Sequence, residues 1–117
     1  MIKSSVTIAL VPEAKGGPFV YWDDLPSSCA KAKELGFDGV EIFPRSSESV
    51  NKNQFQDLLS KHKLQFAAMG TGAGMVVHSL SLTNPDIDIR KKAIDFIKSI
   101  IDFAGPFGTP AIIGSMQ

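Results

Sequence analysis

The chain has 117 residues, 44% of them hydrophobic, which suits one domain with one packed core and excludes a disordered or fibrous chain. Twelve basic and twelve acidic side chains balance, so no charge footprint calls for nucleic acid or an anionic membrane, and small molecules or proteins are the expected partners. Cys29 is the only cysteine; it excludes an intrachain disulfide and a thiolate zinc cluster, and fits a reducing, cytoplasmic setting.

Met1-Ile2-Lys3 followed by Val6 to Val11 superficially resembles a signal peptide, but the apolar run is only six residues and no small-residue cleavage site precedes Pro12-Glu13. The reading is a strand and no export. No stretch approaches the roughly 20 apolar residues of a membrane span. Val6 to Val11 is β-branched and apolar, and Pro12 ends it by removing a ladder donor. Glu13 to Trp22 then reads as an aromatic-rich loop in which Phe19 and Trp22 either plug the end of the core or wall a pocket.

Asp23 or Asp24 caps the next helix, Pro26 lies in its first turn, and Leu25, Cys29, Ala32 and Leu35 recur at helical spacing up to Gly36. Cys29 on that stripe reads as a core thiol. In the second strand Val40 and Ile42 share one face, while Gly39, Glu41 and Phe43 share the other. A lone carboxylate on the second face of a covered parallel strand points at a site; the alternative is an acid bonded to neighbouring backbone.

After the polar loop Pro44 to Ser49 comes a helix with Phe55, Leu58, Leu59 and His62 on its apolar side, the histidine at the helix end near the terminal carbonyls. Leu64 to Met69 reads as a third strand, and Gly70-Thr71-Gly72-Ala73-Gly74 leaves it. Those glycines let a ligand approach backbone, but a dinucleotide fingerprint opens directly into a helix, whereas Met75 to Thr83 is read as intervening loop. Asn84 then caps a long helix with Pro85 at its first position. Its apolar stripe comprises Ile87, Ala93, Ile94, Ile97, Ile100, Ile101 and Ala104. Pro110 to Gly114 is the fourth strand. Helices between successive strands predict an α/β fold with a parallel sheet of about four strands and three helices.

Leu35 to Ile42, the segment His78 to Asp86 running into Arg90-Lys91-Lys92-Ala93-Ile94, and Gly108 to Gly114 resemble the sugar phosphate isomerase/epimerase family, whose fold is a xylose-isomerase-like TIM barrel. The resemblance implies aldose–ketose isomerisation or ketose epimerisation, by proton transfer beside a carbonyl, of a small sugar or sugar phosphate. It also implies a divalent metal (Mn, Co or Mg) held by two glutamates, an aspartate and a histidine from strands after the fourth. The chain matches only the N-terminal half of such a barrel, so no catalytic residue or metal ligand is assigned in it. Substrate-side candidates are Glu41 and Arg45 at the second strand's exit, Gly70 and Gly72 after the third, and His78 beyond them. For His78 a backbone-bonded loop role is the competing reading.

Three other readings stand beside this one. A metal endonuclease on the same barrel wants histidines where Met69-Gly70 and Gly114-Ser115 stand. An open flavodoxin-like or receiver sheet is also compatible with four strands, although Val11-Pro12-Glu13 and Met69-Gly70 lack the receiver's acidic residues. The third is an inactive half-barrel serving binding or scaffolding. A half-barrel leaves bare edges on its first and fourth strands and an uncovered concave face near Val6, Val11, Phe43, Met69 and Ile112, so self-association is expected.

Overall fold

The computed structural model describes residues 2–22 and 24–117. Asp23, one of the two expected caps, lies outside them. The first unit is β1 (Ser5–Ala9), β2 (Tyr21–Trp22) and α1 (Leu25–Glu34), and the second is β3 (Gly39–Phe43) and α2 (Lys52–His62). Then follow β4 (Gln65–Gly70), α3 (Ala73–Val76), α4 (Ile87–Ala104) and β5 (Ala111–Ile112). All pairings are parallel and the strand order is β2-β1-β3-β4-β5.

The fifth strand is β2, where the sequence reads as loop: Tyr21 and Trp22 pair with Ile8 and Ala9 along the outer edge of β1. Extended aromatic residues suit an open edge, and this edge, expected bare, is covered over those two positions. One core cluster joins Leu25, Cys29 and Ala32 of α1 to Phe55 and Leu59 of α2 and to Ile100, Phe103 and Ala104 of α4. Ile8, Val40, Ile42, Phe66 and Met69 supply its sheet side. The three long helices thus share one face of the sheet, as in a barrel wall, and not the two faces that an open flavodoxin-like sheet would need.

Local chemistry fixes the helix limits. Asp24 caps α1 by accepting the Ser27 N–H at 3.3 Å, and Gly36, at φ +89°, takes the left-handed conformation that stops it. Leu35 falls past the last turn and is 59% exposed, off the stripe expected for it. Asp86, not Asn84, caps α4, accepting the Asp88 N–H at 2.8 Å; Asn84 accepts the Asp86 N–H at 2.9 Å and shapes the approach.

The expected stripe of α4 divides in two. Ala93, Ile97, Ile100 and Ala104 are buried, whereas Ile87, Ile94 and Ile101, seven residues apart, are each more than 40% exposed. The loop expected after the glycine run contains the single turn α3, although four residues remain far short of a dinucleotide-binding helix. Strand β4 carries an irregularity: Val40 pairs with Phe66 but Glu41 with Ala68, so Ala67 is the extra residue. Met69 thereby falls opposite Ile42 in the buried cluster instead of near the uncovered face, and Val11 is also fully buried.

Cys29 sits at 0% exposure, and desolvation pushes its thiol up to about 11. A folded-state pKa above the unfolded value, about 8.5, means that its contribution to stability is intact below that value and is lost as pH rises through about 11. The native chain should therefore resist a thiol reagent at pH 8 and react at once in denaturant. Its urea midpoint should fall between about pH 8.5 and about pH 11 by more than that of Cys29→Ala.

Candidate functional site

The register places Thr7, Glu41 and Ala68 in one row across the sheet, and Ala9, Phe43, Gly70 and Ile112 in the row nearer the strands' C-terminal ends. Both rows lie on the face opposite Val40 and Ile42, as the alternation of β3 requires. Above them is a cavity of about 320 Å³ lined by residues that include Thr7, Phe19, Glu41, Phe43, Gly72 and Ser115. Among the described residues Glu41 is the one carboxylate in that lining, and its Oε2 accepts the Thr7 hydroxyl at 3.0 Å.

Aromatic rings form another part of the wall. Phe19 stacks on Phe43 with centroids 5.2 Å apart and meets Trp22 edge-on at 5.8 Å, while the Trp22 indole N–H donates to the Phe19 carbonyl at 3.1 Å. Phe19 is thus a pocket wall, and Trp22 braces it. Gly70 and Gly72 make room for the Phe43 ring: a Cβ on Gly70 would lie 3.1 Å from Phe43 Cδ2, and one on Gly72 would lie 2.6 Å from Cε2. Beside them Thr71 donates both its N–H (3.1 Å) and its hydroxyl (2.8 Å) to the Ile112 carbonyl, tying the exit of β4 to β5.

A family model described as xylose isomerase-like TIM barrel matches residues 29–116. The chain belongs to that family. A solved structure of D-allulose 3-epimerase from Methylomonas sp., in complex with D-allulose, has a TM-score of 0.65 to this xylose isomerase-like chain at 17% identity. It covers 92% of this chain and 34% of that one, so this chain spans about a third of the length of the epimerase it matches. A second structure of that epimerase, with additional C-terminal residues, has a TM-score of 0.44 at 14% identity over 95% of this chain and 51% of that one. The first likeness is one of fold; the second, at that score, adds nothing to it. The curated proteins contain no match to the sequence.

Of the substrate-side candidates, the xylose isomerase-like fold brings Glu41, Gly70 and Gly72 to one cavity and leaves Arg45 and His78 outside it. Arg45 Nη1 donates to Glu13 Oε1 at 2.7 Å, which ties the loop after β1 to the exit of β3. A hydrogen bond from its own backbone and then the Arg45 guanidinium hold the Glu13 carboxyl below the usual carboxylate range. This clasp therefore persists into mildly acidic solution and is lost as pH falls further. His78 Nε2 lies 3.3 Å from the Arg45 carbonyl and its ring 5.5 Å from that of Phe96, in a groove with Ser46, Glu48, Lys92 and Asp95.

The family implies a divalent metal, and the donor set can be tested against one. Among the described residues no three of His, Cys, Asp and Glu converge, and the cavity offers a single carboxylate already bonded to Thr7. These residues do not by themselves fit a metal. Phe43 stands on the face that it shares with Glu41, as the sequence leads one to expect, whereas Thr7 and Ser115 line the cavity without having been expected there. Thr7 alternates with Val6 and Ile8 as Glu41 does with Val40 and Ile42, so the polar residue on the second face was a readable signal.

Proposed function

We propose that the cavity binds a small sugar or sugar phosphate and that the chain supplies sugar-binding (βα) units of an isomerase or epimerase. The supporting observation is that Glu41, hydrogen-bonded to Thr7, and the stacked rings of Phe19 and Phe43 line one cavity at the strand ends. A sugar presents hydroxyl donors to a carboxylate and an apolar C–H face to an aromatic wall, and this arrangement offers both. The epimerase of similar fold was solved with D-allulose, a sugar of this class.

Moving a proton beside a carbonyl needs a base and an electrophile for the developing oxyanion. Glu41 can serve as one polar group in such a site; a divalent ion would need donors in addition to it. Self-association through the uncovered face belongs to the same reading, since Ile112 and Ile113, 45% and 49% exposed, stand where β5 leaves the cavity. A cytoplasmic setting suits the lone buried thiol. Among the described residues no helix is long and apolar enough to cross a membrane.

Titration with ketohexoses and their phosphates, followed by calorimetry and by emission of Trp22, the one tryptophan, tests the reading. Saturable binding at millimolar sugar or below is expected, with no interconversion by the 117-residue chain when Mn, Co or Mg is supplied. Absence of saturable binding for every sugar would overturn the binding assignment, and turnover above a metal blank would overturn the division of labour.

A further inference from the structure

We propose that Ser115 is a further sugar-contacting residue and that Met116, seated in a notch left by Gly74, is the residue that positions it. This rests on the sugar-binding reading above. Ser115 lines the cavity and its Oγ lies 3.4 Å from the Gly72 carbonyl, a hydrogen bond so long that the hydroxyl can turn to a ligand at little cost. Within Ile113 to Ser115 little beyond a long turn bond, from the Gln117 N–H to the Gly114 carbonyl at 3.3 Å, restrains that hydroxyl: Ile113 and Ser115 are exposed and Gly114 has open space where a side chain would be.

Met116 supplies the hold. It is completely buried beside two exposed neighbours, packed on Ala93 and Ile97 with Leu80, Leu82 and Phe96 around them. Its carbonyl accepts the Leu82 N–H at 2.7 Å. Its Sδ and Cε lie over Gly74, where a Cβ would collide with the sulfur and stand 2.6 Å from the methyl. Gly74 therefore has a steric task distinct from that of Gly70 and Gly72, which seat Phe43. A thioether adapts to such a narrow slot better than a branched side chain does. With the side chain following Ser115 locked under α3 and α4, the serine hydroxyl is presented over the Gly72 carbonyl at the cavity rim.

The test measures D-allulose affinity by calorimetry and amide hydrogen exchange of residues 112–117 in the whole chain. Ser115→Ala should weaken affinity about three- to ten-fold, the worth of one neutral hydrogen bond, and leave exchange unchanged. Met116→Ala should speed exchange across the turn and weaken affinity by a similar factor; Met116→Leu, which keeps the bulk but is branched, should recover part of both. Because Met116 acts through Ser115, the double variant should bind no more weakly than Met116→Ala alone. Wild-type affinity in Ser115→Ala overturns the contact, and additive losses in the double variant overturn the positioning role. Should the wild type bind no sugar, the parent reading and the Ser115 contact both fall, while unchanged exchange in Met116→Ala would separately overturn the anchor.

Discussion

Replacing Phe55 by alanine is expected to cost about 3–5 kcal/mol of stability, the range for truncating a fully buried aromatic side chain. Phe55 is at 0% exposure, and with Leu59 it is one of only two buried side chains of α2. Its ring meets Phe66 of β4 edge-on at 4.8 Å and Phe107 at 6.1 Å, and Phe66 in turn meets Phe107 at 5.3 Å. Aromatic pairs of this geometry add about 0.5–1.5 kcal/mol each beyond area burial, and the two remaining rings would not collapse readily into the space left behind. A domain of this size has about 5–15 kcal/mol to lose, so the variant should be marginal at 37 °C but measurable in urea at 10 °C. Phe55→Leu should recover more than half of the loss. A midpoint shift equivalent to less than about 1 kcal/mol at unchanged slope would mean that α2 does not dock on β4 through this ring.

The sequence made the parts of the fold governed by local rules legible, and left obscure those decided by contacts between distant segments. The strict alternation around Glu41 gave its face directly, because one residue out of phase would have put a carboxylate against Cys29 and Phe55 and turned Val40 and Ile42 out of the core. In Leu64 to Met69 nearly every residue is apolar, so nothing marks Ala67 as the extra one, and Met69 changes face because of it. The isoleucines of α4 misled for a related reason. Positions 87, 94 and 101 drift away from the buried seam at 3.6 residues per turn, and an apolar count cannot tell a buried row from an exposed one. Arg45 lies at a strand exit and His78 beyond one, but Glu13, 32 residues from Arg45, and Phe96 set where those side chains go. Ser115 follows β5 as Arg45 follows β3, and its link to Gly72, 43 residues earlier, exists only in the folded chain.

Replacing Glu41 by leucine is expected to weaken sugar binding about 10- to 150-fold, the equivalent of one charged hydrogen bond of about 1.5–3 kcal/mol. The carboxylate is half-buried, its Oε2 takes the Thr7 hydroxyl, and the remaining acceptor positions are free to meet sugar hydroxyls in a cavity otherwise walled by rings, isoleucines, glycines and small hydroxyl side chains. Leucine removes every acceptor at once and strands the Thr7 hydroxyl; glutamine keeps the shape and one acceptor, and should cost roughly ten-fold or less. If Glu41 served only to satisfy its strand neighbour, Thr7→Val and Glu41→Leu would shift the urea midpoint alike and leave affinity untouched. A site role gives the opposite pattern. Affinity falls steeply in Glu41→Leu and modestly in Thr7→Val, while stability holds or rises in Glu41→Leu, because an apolar side chain then replaces a partly desolvated charge. The Thr7–Glu41 double variant should bind no worse than Glu41→Leu, since the hydroxyl acts by orienting the carboxylate. Wild-type affinity in Glu41→Leu, measured on protein whose urea midpoint is unchanged, would remove Glu41 from the site.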